Sequence, residues 1–416
     1  MYFLKKLKKF SMCGFYGLLT ETSLTKKEIE FQRKVAKKIK YRGPDFTGEY
    51  ISVKKNFYSW HHRLSIIDLK NSSNQPFRYK NFTILFNGEI YNYKKIKKKL
   101  EKNFTFKTNG DTEVLLYSWI KWGKKFYKHI DGMYSIVIYD NKNLYLITDN
   151  FAEKPLFFTK IKNQIFFSSE KSILTKQFKL KKNYNSNQIN SFMSLGFSPY
   201  EFPAHQNLNY LKPASIVKFD KNLKKKEIIY WKKNKRNLIK KNKFSDNDKI
   251  KLKRLLIESI ENRLTSDVPI AHFMSSGFDS TLIAAICKKE LNYQLSTYTV
   301  RTPQNKEEIK QVKKICSYLA LPNKVVNFSY NKNYNIISKK LLELFNEPND
   351  NVAALMFMEM SKMIKNDGFK VSLCGLGGDE LIMGYNKYSF LNKISKYTFN
   401  DNKMLNKLIS NLQFIF

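Results

Sequence analysis

Cysteine is scarce in this 416-residue chain. Its four positions, Cys13, Cys287, Cys316 and Cys374, form no CxxC pair and no zinc-ligand spacing. Four thiols in so long a chain do not build a disulfide scaffold, so a reducing, cytoplasmic compartment is expected. Long apolar runs are also missing. No stretch approaches the roughly 18–20 apolar residues that cross a bilayer, so no membrane partner is expected. Arginine is the third shortage: it supplies 8 of the 75 basic residues. Against 35 acidic residues the net charge is +40, which invites a nucleic-acid reading. Base-edge readout and bidentate phosphate recognition favour arginine, however. Lysine here is spread through every segment, alongside abundant Asn, Ile, Phe and Tyr, all with A/T-rich codons. Coding bias is the simpler account, and no nucleic-acid partner is expected.

What is present is enough for stable cores. Hydrophobic residues make up 42% and aromatics 15%, which excludes a disordered chain. At roughly 100–200 residues per domain, the length suggests two or three domains. The opening MYFLKKLKKFSM is basic but lacks the apolar stretch of a signal peptide. It reads either as a short membrane-surface helix or as a segment absent from the mature protein.

Residues 13 to about 215 read as β-rich. Short apolar runs at 13–19, 83–87, 134–139, 144–148, 164–168 and 214–219 are punctuated by Gly, Asn, Asp and Pro. Amphipathic helices are expected at 26–40, 94–100 and 112–122. This is an α+β pattern of stacked sheets. Residues 221–247 are rich in Lys and Asn with little periodicity, and read as a connector ending in a helix start near Ser245. Beyond 248 the pattern alternates: helix 249–262, strand 270–275, helix 280–291, strand 294–300, helix 306–319, strand 324–328, helices 336–345 and 353–364, strand 370–375. Alternation with buried-type strands predicts a parallel α/β sheet, which binds ligands beyond the carboxyl ends of its strands.

Two loops stand at such ends. Ser275-Ser276-Gly277-Phe278-Asp279-Ser280 follows a strand and opens a helix, where backbone N–H groups, the helix dipole and hydroxyls make an anion site. Gly375-Leu376-Gly377-Gly378-Asp379-Glu380 allows close backbone approach, and its carboxylates can hold Mg2+ on a pyrophosphate. Each alone is also compatible with a plain capping turn. Together, on one sheet, they predict a nucleotide site.

In the front half Cys13-Gly14 follows Met12. Removal of what precedes would expose a cysteine with a free α-amine, of reference pKa about 8, able to take the thiol proton. A lone cysteine is otherwise usually a buried apolar residue. Arg63, in His62-Arg63-Leu64-Ser65-Ile66, is suited to a bidentate grip on a carboxylate. Asn87-Gly88-Glu89 is expected at a strand end, where amide and N–H groups can form an oxyanion hole. Asp111, in Gly110-Asp111-Thr112-Glu113, starts a helix and can meet an ammonium. Each could equally be a turn or cap. Together they describe an amino-acid pocket beside a thiol.

With these motifs in order, the chain resembles the glutamine-hydrolysing asparagine synthetases. The front half is similar to class II glutamine amidotransferases through MCGFYG (12–17), YRGPDFTG (41–48), HHRLSIIDL (61–69), LFNGEIYNY (85–93), GDTEVLLYSW (110–119), KPLFF (154–158) and FSSEKSIL (167–174). The rear half resembles the synthetase domain through RLTSDVPIAHFMSSGFDS (263–280), NEP (346–348) and CGLGGDELIMGYNKY (374–388). The resemblance implies an α+β N-terminal-nucleophile hydrolase sandwich (αββα), followed by an α/β parallel-sheet adenine-nucleotide α-hydrolase-like (PP-loop) domain. The boundaries it implies are an extension at 1–12 absent from the mature protein, an amidotransferase domain at 13–220, a linker at 221–247 and a synthetase domain at 248–416.

The same resemblance implies roles. Cys13 would attack glutamine, with Asn87 and Gly88 holding the oxyanion. Arg63 would bind the α-carboxylate, Glu89 and Asp111 the ammonium side, and Leu64, Ile66 and Ile67 would line the pocket. Ammonia would pass inside the protein to aspartate activated by ATP as β-aspartyl-AMP. ATP contacts would fall at Met274, Ser275, Ser276, Gly277, Asp279, Ser280, Val300, Cys374 and Gly375, with Mg2+ at Asp279 and Asp379. A homodimer is among the assemblies it allows.

The chain departs from the family in four places. Ser276 replaces a glycine, Leu376 replaces an acidic residue, residues 148–152 (TDNFA) replace an arginine-rich segment, and family members continue well past position 416. An incomplete synthetase domain is therefore expected. The alternatives are amidation of another carboxylate, such as a surface-glycan sugar acid, or a synthetase-defective paralogue.

Overall fold

The computed structural model describes residues 12–182, 185–199, 201–232, 245–303, 305–328, 339, 341–343, 345–351, 353–382 and 384. Most of the 1–12 extension, half of the helix expected at 336–345 and the end of the GLGGDELIMGYNKY motif lie outside the described residues. The chain divides into two compact units.

The first unit stacks two six-stranded antiparallel sheets. One has the order β10-β8-β9-β1-β3-β2, where β1 is Gly14–Thr20, β2 Phe46–Ile51, β3 Phe57–Arg63, β8 Phe157–Ile161, β9 Gln164–Ser168 and β10 Asn209–Tyr210. The other runs β12-β11-β7-β6-β5-β4, where β4 is Phe77–Tyr79, β5 Phe82–Ile90, β6 Gly132–Tyr139, β7 Leu144–Thr148, β11 Ser215–Phe219 and β12 Lys225–Ile229. Strand alternation sorts the side chains into layers. Phe15, Leu19, Leu85, Val137, Leu146 and Phe167 meet in the core between the sheets. Phe57 and Tyr139 stack across it, with ring centroids 4.2 Å apart.

The alternate residues face outward but not to water. Tyr16, Leu18, Tyr58 and Phe166 join α1 (Lys26–Ala36) and α4 (Lys171–Gln177) in one outer core. Ile84, Phe86, Ile136 and Ile147 join α2 (Tyr93–Leu100) and α3 (Asp111–Trp122) in the other. The result is the αββα sandwich the motifs imply. Both sheet faces are covered, which is why these strands read as continuous apolar runs. Helix α1 starts at a capping box, with Thr25 Oγ1 accepting from Glu28 N–H while the Glu28 carboxylate accepts from Thr25 N–H.

The structure departs from the sequence reading in its details. The segment read as a linker contains β12, a strand hydrogen-bonded along β11. It occupies a sheet edge, where lysines are tolerated on the open side and mask the strand pattern. Asn87-Gly88-Glu89 does not end a strand but sits inside β5, which runs on to Ile90. The compact units also interleave in sequence: Asn183–Ala204 packs with the second unit and Thr265–Val268 with the first.

The second unit carries a four-stranded sheet of order β15-β14-β13-β16, with every pair parallel. Its strands are β13 Ile270–Phe273, β14 Ser296–Arg301, β15 Asn323–Asn327 and β16 Val371–Leu373. Helices α5 (Ser186–Leu195), α6 (Asp246–Arg263), α7 (Phe278–Ala285) and α8 (Lys306–Tyr318) belong to this unit, α6 apart from its first residues, with a further helix at Ala353–Asn366. The expected helix 280–291 is α7 followed by a π-helical turn, Ile286–Glu290. The strand order builds outward from β13 through β14 to β15, and β16 then joins on the other side. The topological switch point therefore falls between β13 and β16. Among the described residues no helix is long and apolar enough to cross a membrane.

Candidate functional site

Cys13 stands immediately before β1, and Gly14 pairs with His62 on β3. That register sets the thiol beside the loop after β3. Leu64 N–H donates to Cys13 Sγ at 3.3 Å, and the thiol faces Leu64 O at 3.5 Å. Arg42 Nε donates to the Cys13 carbonyl at 3.2 Å while its Nη1 pairs with Glu170 at 3.1 Å. Burial pushes the thiol up to about 11, against the lowering effects of the Leu64 N–H and the Arg63 charge. At neutral pH such a thiol keeps its proton unless a base takes it.

Neither adjacent histidine serves as that base. His61 is fully buried, with Nε2 3.1 Å from Phe86 O, and burial drives its pKa to about 3. The His62 ring lies between Thr47 Oγ1, Trp60 Nε1 and Ala36 O.

Arg63 ends β3, buried, with Cys13, Asp68, Asp111 and Asp45 close enough to act on its charge. The bidentate grip expected of it is not free in this structure. Nη1 donates to Lys70 O and Asn74 Oδ1, and Nη2 to Ile67 O and Asp68 O. Four of the five guanidinium N–H groups are thereby spent on its own loop, which leaves Nε. Leu64 touches the thiol directly. Ile66 and Ile67 contribute carbonyls already taken by Asp267 N–H and Arg63.

Asp111 opens α3, buried, and accepts from Ile90 N–H at 3.0 Å. Burial raises its carboxyl to about 6, in spite of the Ile90 N–H and the Arg63 charge. Glu89, one residue before Ile90, is raised to about 7 by burial, with Lys154 opposing and Asp111 adding to the rise. The structure thus brings Cys13, Arg63, Leu64, Glu89 and Asp111 together. Asn87 is buried in β5 opposite Ser135, and its Nδ2 has no hydrogen-bond partner among the described residues. A buried amide donor left without a partner is costly unless something else is meant to meet it. Gly88, at φ +156°, has no room for a Cβ, which would collide with the Met133 carbonyl oxygen.

Sequence reasoning passed over three residues here. Asp68 ties the Arg63 loop to the start of α3 through Asn109 N–H, at 2.8 Å. Arg42 holds the Cys13 carbonyl. Lys154 places Nζ 3.5 Å from Met12 Sδ and acts on Glu89. All three lie inside quoted motifs, which is the signal that could have found them.

In the second unit both glycine-containing loops leave strands at the switch point. Gly277 is the N-cap of α7. Ser275 Oγ lies 2.8 Å from Ser280 Oγ and accepts from Gly277 N–H at 3.1 Å. Across the sheet, Asp379 N–H donates to Asp279 Oδ2 at 3.1 Å. A Cβ on Gly378 would run into that same carboxylate, so the two loops meet backbone to side chain. Met274, Val300 and Cys374 fall at or beside the carboxyl ends of β13, β14 and β16. Ser276 is half-buried, and Leu376 is 69% exposed. Among the described residues no three His, Cys, Asp or Glu side chains gather to hold a metal. Two carboxylates fit a magnesium ion only if it arrives with phosphate oxygens.

Two family models match the chain, one to each half. The family model described as a glutamine amidotransferase domain matches residues 12–231, and that described as asparagine synthase matches 251–413. Asparagine synthetase [glutamine-hydrolyzing] 1 of Bacillus subtilis (strain 168) is 32% identical over 391 residues, covering 91% of this chain and 59% of the relative. A putative asparagine synthetase [glutamine-hydrolyzing] 2 of Methanocaldococcus jannaschii is 29% identical, covering 93% and 79%. Asparagine synthetase B [glutamine-hydrolyzing] of Escherichia coli (strain K12) is 27% identical, covering 90% and 65%. The chain thus spans about three-fifths of the length of the first of these relatives. With an αββα sandwich in front and a parallel α/β sheet behind, the chain belongs to the glutamine amidotransferase domain family, its front half followed by a segment that matches the asparagine synthase model.

Proposed function

We propose that this protein hydrolyses glutamine at Cys13 and uses the ammonia to amidate an ATP-activated carboxylate, as an asparagine synthetase does. The observation that carries the first half is the state of Cys13. Its thiol, pushed up to about 11 by burial, is held by Leu64 and set near Arg63 and Asp111, and both adjacent histidines are engaged elsewhere. A free α-amine on Cys13, once residues 1–12 are gone, supplies the missing base.

The steps balance on these residues. The amine takes the thiol proton as Sγ attacks the glutamine amide carbon. Asn87 Nδ2 and Gly88 N–H meet the oxyanion. The proton passes to the leaving nitrogen, ammonia departs, and a thioester forms. Water then releases glutamate and restores the thiol. Asp111 and Glu89 face the substrate ammonium, and Arg63 offers its charge and Nε to the carboxylate.

At the second site the N-terminus of α7, with Ser275, Ser276, Gly277 and Ser280, cradles the pyrophosphate end of ATP. The nucleotide reaches Met274, Val300, Cys374 and Gly375. Asp279 and Asp379 would hold Mg2+ there, which would supply charge neutralisation for the phosphates. The aspartate side chain attacks the α-phosphorus, expelling pyrophosphate, and ammonia then displaces AMP. Glutamine, aspartate and ATP are the partners of this reading, with a homodimer as the assembly. Nucleic acid and membrane have no part in it. Four free thiols fit a cytoplasmic location.

One observation favours a second acceptor. Leu376 exposes an apolar side chain in the loop after β16, and an isobutyl group takes neither a proton nor a metal. A different carboxylate, such as a sugar acid, is the alternative substrate. Pyrophosphate release with ATP, glutamine and either aspartate or uronic acids tests the choice. Release with aspartate supports asparagine synthesis. Intact glutaminase activity without it refutes that acceptor.

A further inference from the structure

The loop after β3 is held from two sides. From within, Arg63 Nη2 bonds the carbonyls of Ile67 and Asp68. Asp68 sits at φ +51°, a left-handed conformation that a non-glycine residue adopts only when its surroundings hold it. Its carboxylate accepts from Ser73 Oγ at 2.5 Å, Asn109 N–H at 2.8 Å and Lys70 N–H at 3.2 Å. Asn109 lies two residues before Asp111, so Asp68 fixes the loop and the start of α3 together.

The other side is held by a residue far away in sequence. Asp267 belongs to the segment Thr265–Val268, which packs with the first unit. Its Oδ2 accepts from Asp68 N–H at 2.7 Å, across 199 residues of sequence, and its own N–H donates to Ile66 O at 3.0 Å. This is no local turn. The two bonds bracket Ile67, whose carbonyl Arg63 holds. Tyr93, buried at the start of α2, feels Asp267, Asp111 and Asp68 together, and with burial first they push it up to about 12.

We propose that Asp267 is a positioning residue for the glutamine pocket. It clamps residues 66–68 so that Arg63 and Asp111 keep the spacing that a single amino acid's carboxylate and ammonium require. The inference rests on the glutamine reading of that pocket. A charged acceptor suits the task, because a charge-assisted bond to Asp68 N–H offsets the strain of the left-handed residue.

The test uses the full chain with Cys13 at its N-terminus, read by glutaminase kinetics, by calorimetric glutamine binding in a Cys13→Ala background, and by thermal melting. Asp267→Ala should raise KM for glutamine by about tenfold and weaken binding equally, with kcat within about twofold, the signature of lost uniform binding. Asp267→Asn, whose Oδ1 can still accept from Asp68 N–H, should restore most of the loss. If Asp267→Ala does not fold, Asp267→Glu, with its oxygen displaced by one methylene, must show the same rise in KM. Unchanged KM and binding in the folded variants would overturn the inference, as would equal loss in Asp267→Ala and Asp267→Asn in step with melting temperature. A parent protein that neither hydrolyses nor binds glutamine would instead remove the reading beneath it.

Discussion

Cys13 and Leu64 face each other through two contacts, the Leu64 N–H on the sulfur at 3.3 Å and the sulfur on the Leu64 carbonyl at 3.5 Å. The nucleophile is thus aimed by backbone, which no side-chain substitution at 64 removes. What remains adjustable is the base. Protein that begins at Cys13 should release ammonia from glutamine at least about a hundredfold faster than protein retaining residues 1–12, since general-base help contributes 10²–10⁴. Equal rates from the two forms would defeat the amine assignment. Cys13→Ala should abolish glutamine use and leave ammonia-dependent amidation in place, measured by amide product with ammonium salts.

Asn87 carries the next prediction. Its buried Nδ2 meets no hydrogen-bond partner among the described residues. Asn87→Ala should lower kcat by about 10²–10³, the usual cost of an oxyanion donor, with KM little changed. A variant with unaltered kcat would show that the amide points at something other than the transition state.

The carboxyls of Asp111 and Glu89 give a pH signature. Burial holds them at about 6 and about 7, above their ordinary values of 3.8 and 4.5. The folded protein therefore binds more protons than the unfolded chain between about pH 4 and pH 7, and these two groups make it less stable as pH rises through that window. Asp111→Asn should raise the melting temperature at pH 8 by a few degrees while abolishing glutamine binding. For the parent, KM for glutamine should climb as pH falls below about 6, where Asp111 takes up a proton and no longer pairs with the ammonium. A flat KM from pH 5 to 8 would count against Asp111 as the ammonium partner.

Gly88 is a steric prediction. An alanine there meets the Met133 carbonyl and the Tyr134 Cα, the latter at 2.8 Å. Gly88→Ala should destabilise the protein by roughly 2 kcal/mol or more, read from denaturant midpoints. A smaller loss would mean that β5 and β6 shift apart at little cost.

Asp279 separates the two chemistries. Its carboxylate caps Asp379 N–H between the two glycine-containing loops. Asp279→Ala should cut ATP-dependent amidation by about a hundredfold or more while glutamine hydrolysis continues. Parallel loss of both activities would contradict separate sites.

Much of this was legible in the residue order, for physical reasons that also mark its limits. Cys13, Asn87-Gly88 and Asp111 were readable because each depends on its immediate neighbours: a small residue beside the thiol, a tight backbone position, a helix start. The alternation beyond 248 was readable because parallel strands are apolar on both faces. Arg63 shows where that stops. Its type and place were visible, but the loop carbonyls that occupy its fork come from the chain curling back on it. Asp267 and Asp68 stand inside quoted motifs, but their roles are not legible there for a related reason, since their partners are set by packing across 199 and 41 residues. The strand Lys225–Ile229 was hidden by its lysines, which suit a sheet edge and imitate a connector.

The raised thiol of Cys13 has one more consequence. Peroxide and alkylating agents attack the thiolate and scarcely touch the protonated form. A sulfur held near 11 is therefore sheltered from oxidative damage for as long as no base withdraws its proton.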